Sequence, residues 1–224
     1  MNIIKTPLAI ATLLAASLLA PSMAQAQLSF NLGAVSLYKS NGIDQDSRSP
    51  KAFRPAIQGG VDYSFGNGFY VGNWNSTGKF GSANVEVDLY GGYGGQISKD
   101  LTYDIGFASY LYPDNAGWNG NELYGSLTYD YLTVKLTRGV SGSIDEHSRL
   151  SVSVKQPLTD SLTLTSGLGW RNTANNFGAR DYNLGLKYDL GNATSASAIY
   201  SGAQRDKVGI AGKGRLILGV SKSF

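Results

Sequence analysis

The stretch VEVDLYGGYGG, residues 85–95, decides how the rest of the chain is read. Val85, Val87 and Leu89 alternate with Glu86 and Asp88, the period of a β-strand with one apolar and one charged face. In a soluble sheet the acids would face water and the aliphatics a core. In an outer-membrane barrel the aliphatics face lipid and the acids line the lumen. The choice between the two rests on the sequence around this strand.

The chain opens with MNIIKTPLAIATLLAASLLAPSMAQA, in which a lone Lys5 precedes an apolar run from Leu8 to Leu19 and Ala24-Gln25-Ala26 forms a small-residue cleavage site. This is the pattern of a secretory signal peptide cut after Ala26, with the apolar run too short for a spanning helix. Removing 26 of the 224 residues leaves 198, from Gln27 to Phe224, and takes the formal charge from +3 to +2. So weak a field does not recommend nucleic acid as a partner. The chain has no cysteine, which excludes disulfides, thiolate metal sites and thiol nucleophiles.

Twenty-nine glycines and fourteen tyrosines in a chain only 16% charged suit curved sheet and interfacial aromatic belts. Beyond residue 26 there is no apolar run of about 18 residues, so any membrane is crossed by strands. Period-two patterning predicts twelve strands, near 28–38, 55–65, 69–76, 84–95, 101–112, 121–131, 132–140, 148–158, 162–171, 180–190, 194–202 and 213–224. Short connections (66–68, 98–100, 130–131, 159–161 and 191–192) alternate with longer polar ones, of which 39–54 is the longest. The expected fold is therefore all-β: a transmembrane antiparallel up-and-down barrel of about twelve strands over residues 27–224, with both termini in the periplasm.

Facing agrees with this reading. Tyr63, Phe65, Tyr93, Tyr103, Tyr129, Tyr188 and Phe224 fall on the apolar face near the expected periplasmic end, as a girdle does, while Trp170 and Tyr182 lie toward the other end. By the same parity the inward acids are Asp62, Glu86, Asp88, Asp104 and Glu122, all from the second to sixth predicted strands. The inward bases are Lys135, Lys155, Arg171, Lys187 and Arg215, from the seventh to the twelfth, with Asp181 and Asp189 as exceptions beside Lys187. Opposed walls of acid and base either orient a polar solute in a narrow pore or pair across the lumen and close it. Gly92 and Gly94 share the inner face with Glu86 and Asp88 and add no side-chain bulk there.

GFYVGNWNS (68–76), VEVDLYGGYGG (85–95), LTYDIGFASYLYP (101–113) and NELYGSLTYDYL (121–132) together resemble the motifs of the TorF-type porin family of Gram-negative outer-membrane barrels. The resemblance runs from about residue 28 to 224, and DLYGGY is its most specific piece. The ending GRLILGVSKSF is similar to the last strand of outer-membrane proteins, whose terminal aromatic, here Phe224, is read by the barrel-assembly machinery. Lys222 departs from the usual apolar residue two positions from the end, and near an interface it can snorkel. What the resemblance implies is a pore for small hydrophilic solutes, embedded in outer-membrane lipid.

Chemistry has little to work with. The only histidine, His147, precedes Ser148 directly, and neighbouring strand residues point to opposite faces, so the pair does not form a hydrolase site. The loop acids Asp44, Asp46, Asp114, Asp145 and Glu146 lack calcium-loop spacing. The expectation is a non-enzymatic barrel with no cofactor and no metal, passing small solutes. The alternative is a closed structural or adhesive barrel acting through its outer loops, 39–54 above all.

Overall fold

The computed structural model describes residues 26–48, 51–173 and 178–224, so most of the leader expected over residues 1–26 lies outside the described residues. Twelve long strands close a barrel: β1 (Gln27–Val35), β4 (Ala56–Ser64), β5 (Phe69–Phe80), β6 (Ala83–Ser98), β7 (Leu101–Leu111), β8 (Gly120–Tyr129), β9 (Leu132–Gly142), β10 (Ser148–Pro157), β11 (Leu162–Asn172), β12 (Ala179–Gly191), β13 (Thr194–Ala203) and β14 (Arg215–Ser223). Each strand pairs antiparallel with its sequence neighbours in the wall. The ring shuts where β1 pairs β14, from Asn31 opposite Ser223 to Val35 opposite Gly219. Two short strands, β2 (Lys39–Ser40) and β3 (Ile43–Asp44), form a separate hairpin in the first long loop.

Closure follows from the alternation. Strands built of side chains apolar on one face and polar on the other have no open edge once rolled up, and every backbone group in the wall finds a partner. Leu28, Phe30 and Leu32 of β1, Leu184, Leu186 and Tyr188 of β12, and Leu216, Leu218 and Val220 of β14 are all exposed on the outer face. An even strand count brings both ends of the chain to one rim, where Phe30 and Phe224 exchange backbone hydrogen bonds of 3.2 and 2.9 Å. At this rim Tyr63 packs on Phe65 at 4.9 Å, Phe69 on Tyr93 at 4.8 Å, and Tyr93 on Tyr103 at 6.1 Å between ring centroids. Phe224 is 67% exposed there, and the ammonium of Lys222 lies 5.5 Å from its ring.

Tight hairpins carry this rim. Thr194 pairs Gly191 across a two-residue turn in which Asn192 (φ 50°) and Ala193 (φ 55°) are both left-handed, the combination a type I′ turn requires. Alanine is poorly suited to that conformation. Ala193→Gly is expected to stabilise the barrel by about 0.5–1 kcal/mol, read as a higher temperature for loss of the compact, heat-modifiable band on gels. An unchanged or lower midpoint would mean the turn is not strained.

Three expectations about strand limits need correction. The first strand stops at Val35 rather than 38, because Leu37 and Tyr38 turn inward and are buried. Residues 77–83, expected as a loop, continue the β5–β6 ladder as far as the pair Phe80 and Ala83, both fully buried. The loop after β13 coils into α1 (Arg205–Val208) and a 3₁₀ turn, Gly209–Gly212.

Candidate functional site

The five predicted acids all lie on the inner face, and each position was legible from parity. What parity did not show is how they are held. Tyr70 donates to Asp104 at 2.6 Å, Tyr112 to Glu86 at 2.6 Å, Tyr110 to Glu122 at 2.9 Å, and Tyr90 to Asp62. The Tyr70 hydroxyl also meets that of Tyr124 at 2.7 Å. Charge-assisted bonds of this kind suit carboxylates withdrawn from water, and Glu86, Asp88 and Asp104 are buried. Counting tyrosine only as a girdle residue hid these partners. The available signal was parity itself, since Tyr90 follows Asp88 by two residues and Tyr124 follows Glu122 by two.

The inner glycines make room for these rings. A side chain at Gly72 would meet the ring of Tyr90, one at Gly106 that of Tyr124, and one at Gly92 both the Tyr70 hydroxyl and the carbonyl of Ile105. Gly92 itself adds no bulk beside Glu86 and Asp88, and the room it leaves is taken by the Tyr70 hydroxyl. Trp74 and Phe80 of β5 add to this half of the interior, with Tyr38 of the first long loop packed on them at 5.6 and 6.4 Å.

On the opposite wall the predicted bases divide by what they touch. Lys135 sits over the ring of Tyr124, its nitrogen 4.2 Å from the centroid. Arg149, which parity also turns inward but which was not among the predicted bases, grips Asp181 with two bonds, 2.9 Å from Nε and 2.6 Å from Nη2. Asp181 thus belongs to Arg149 and not to Lys187. Arg171 lies directly opposite Arg149 in the β10–β11 register. Lys155 and Lys187 sit nearer the rim that carries the termini, Lys155 opposite Thr165 and Lys187 opposite Thr163.

Arg215 leaves the basic wall for the mouth of the barrel. There Lys39 donates to Asp44 at 2.5 Å and to the carbonyls of Ala211 and Lys213 at 3.0 and 3.1 Å, and Arg215 approaches the other oxygen of Asp44 at 3.5 Å. The Lys39 side chain is wholly buried, and this burial pulls its pKa down while Asp44 works against the fall. On the far side of the mouth, Ser47 accepts from Gly81 and donates its backbone N–H to Lys79 at 2.7 Å. The first long loop therefore folds inward as a strap across the mouth, tied to β14 on one side and to the β5–β6 hairpin on the other.

His147 lies in the β9–β10 loop, its backbone N–H donating to Ile144 and its carbonyl accepting from Gly139. Burial and the nearby Arg171 charge lower its pKa. Among the described residues, no group of three or more histidine, cysteine or acidic side chains converges to hold a metal ion.

The interior is consequently split. The β5–β8 half is filled by Tyr70, Trp74, Tyr90, Tyr110, Tyr112 and Tyr124 around the carboxylates. About half of the inner positions in the β10–β14 half are serine, threonine or glycine, with bases, Asp181 and Asp189 among them and no aromatic ring. Short side chains on one wall and rings on the other put whatever space there is beside the basic wall.

No curated protein matches the sequence. Among solved structures, the chain is similar to a KdgM porin, with a TM-score of 0.59 at 13% identity over 88% of this chain and 99% of that one. A KdgM porin in complex with disordered oligogalacturonate aligns with a TM-score of 0.60 at 12% identity, covering 89% and 99%. The NanC porin aligns at 0.54 and 14%, covering 88% and 99%. At such identities the likeness is one of fold: a closed twelve-stranded barrel matched along nearly its whole length. A family model matches residues 20–223, and the chain belongs to that family, Gcw_chp, described as bacterial proteins of unknown function.

Proposed function

We propose that this protein is an outer-membrane barrel that gives small hydrophilic solutes a narrow passage, with the rim bearing the termini in the periplasm and the longer loops outside. The observation that carries this reading is the contrast between faces: leucine, phenylalanine and tyrosine outside, charge and hydroxyls inside, in a ring with no open edge. A fold shared with porins and the TorF-type motifs support it. Residues 1–26 fit a cleaved leader, outer-membrane lipid fits the apolar outer face, and Phe224 fits a terminal signal for barrel assembly. The passage is non-enzymatic in this reading, since Asp62, Glu86, Asp104 and Glu122 are bonded to tyrosines that organise a wall rather than paired with a nucleophile.

The strap favours a second reading, a closed barrel. As an adhesive loop, however, residues 39–54 would have to reach outward, whereas Lys39 and Asp44 are buried in the mouth. Reconstitution separates the two readings. Purified, heat-modifiable protein in a planar bilayer is expected to give discrete conductance steps, and liposomes bearing it should swell in small sugars. The absence of both would establish the closed barrel.

A further inference from the structure

Most charges inside the barrel are already engaged. The acids of the β4–β8 wall bond to tyrosines or are buried among them, Arg149 holds Asp181, Arg215 faces Asp44, and Lys135 lies on Tyr124. Lys155 and Lys187 differ. Among the described residues neither has a carboxylate within ion-pair distance, and Lys155 is exposed although it points inward. The one acid near them, Asp189, accepts a hydrogen bond of 2.8 Å from the backbone of Gly191 and so caps its own turn.

The register places these two lysines on the same inner face, either side of β11 and staggered by two residues. They stand on β10 and β12, flanking β11, opposite Thr165 and Thr163, whose side chains share the inner face. The charges of the two lysines repel one another. Two like charges on one inner face among hydroxyls, with only the turn-capping Asp189 near Lys187 and no carboxylate in ion-pair contact among the described residues, are a configuration that an added anion relieves. Ammonium groups recognise charge more than shape, so the pair suits carboxylate, sulfate or phosphate alike.

We infer that Lys155, Lys187, Thr163 and Thr165 form an anion-binding subsite in the lumen near the terminus-bearing rim, so that the solutes favoured by the barrel are small organic anions. This deepens the passage reading and rests on it for transport, although binding itself can be measured without transport. Arg171, further up the same wall and opposite Arg149, extends the positive path toward the mouth.

Two measurements on the mature protein test the inference. In a planar bilayer under a potassium chloride gradient, the reversal potential is expected to show anion preference, and the double variant Lys155→Gln, Lys187→Gln should reduce that preference at least severalfold. Lys99→Gln, at an exposed lysine of the β6–β7 turn outside the candidate site, should leave it unchanged. In detergent at low salt, calorimetry should show saturable binding of citrate that the double lysine variant loses while keeping its heat-modifiable gel shift. Citrate binding that depends on the lysines, in protein that gives no conductance, would sink the passage and leave the subsite standing. Conductance without anion preference, or citrate binding indifferent to the lysines, would overturn the subsite and leave the passage.

Discussion

Replacing Lys39 with alanine is expected to raise single-channel conductance severalfold by releasing the strap from the mouth. Lys39 supplies two bonds that hold the first long loop to the last one, to the carbonyls of Ala211 and Lys213, and a third within its own loop to Asp44; its loss strands a buried Asp44 with only Arg215 nearby, at 3.5 Å. Removing one member of a buried ion pair costs about 3–5 kcal/mol, because the other charge is left without compensation. A loop can avoid that cost by moving its acid into water, whereas a strand in the wall cannot. The loop is therefore expected to leave while the ladder stays intact. Limited proteolysis within residues 36–48 should accelerate, with the heat-modifiable shift unchanged. Unaltered conductance together with unaltered proteolysis would show that the strap is held by its apolar contacts, chiefly Tyr38 on Trp74 and Phe80.

The second large effect is expected inside the wall. Gly92→Val places a branched side chain against the backbone carbonyl of Ile105 on the neighbouring strand and against the Tyr70 hydroxyl that bonds Asp104. Overpacking costs about 1–3 kcal/mol and depriving a buried carboxylate of its hydrogen bond about 1.5–3, so a loss of roughly 3–5 kcal/mol is expected. The variant should fail to reach the compact band or lose it at a much lower temperature. Tyr70→Phe in the Gly92→Val background separates the two causes: if the hydroxyl contact dominates, removing that oxygen recovers part of the midpoint. A Gly92→Val protein as heat-stable as wild type would mean that the ring of Tyr70 is not seated on this glycine.

Much of the site was legible because a strand has only two faces. Reading β6 as Val85, Val87 and Leu89 against Glu86 and Asp88 lets parity carry the same division to every neighbour, and Asp62, Glu86, Asp104 and Glu122 meet tyrosines from neighbouring strands. The same rule turned Arg149 inward, but a charge beginning a strand next to a loop was easily passed over. Tyrosine was the harder case, because it belongs both at a membrane interface and against a buried carboxylate. Tyr93 and Tyr103 pack on each other at the terminus-bearing rim, while Tyr70, Tyr90, Tyr110 and Tyr112 stand against carboxylates. Nothing local in the sequence separates these roles except parity relative to the acids.

The sequence by itself determined the closed antiparallel barrel and its strand count, because period-two alternation and turn spacing are local properties that every strand repeats. Only the tertiary structure decided which charges are spoken for. The bonds of Lys39 to the loop after β13 join residues 172 and 174 positions apart. The tyrosine bonds cross from one strand to others whose relative stagger no single strand specifies. Pairing partners depend on register and closure around the whole ring, and through them the two walls became a filled, tyrosine-bound half and a half where, among the described residues, Lys155 and Lys187 have no carboxylate within ion-pair distance.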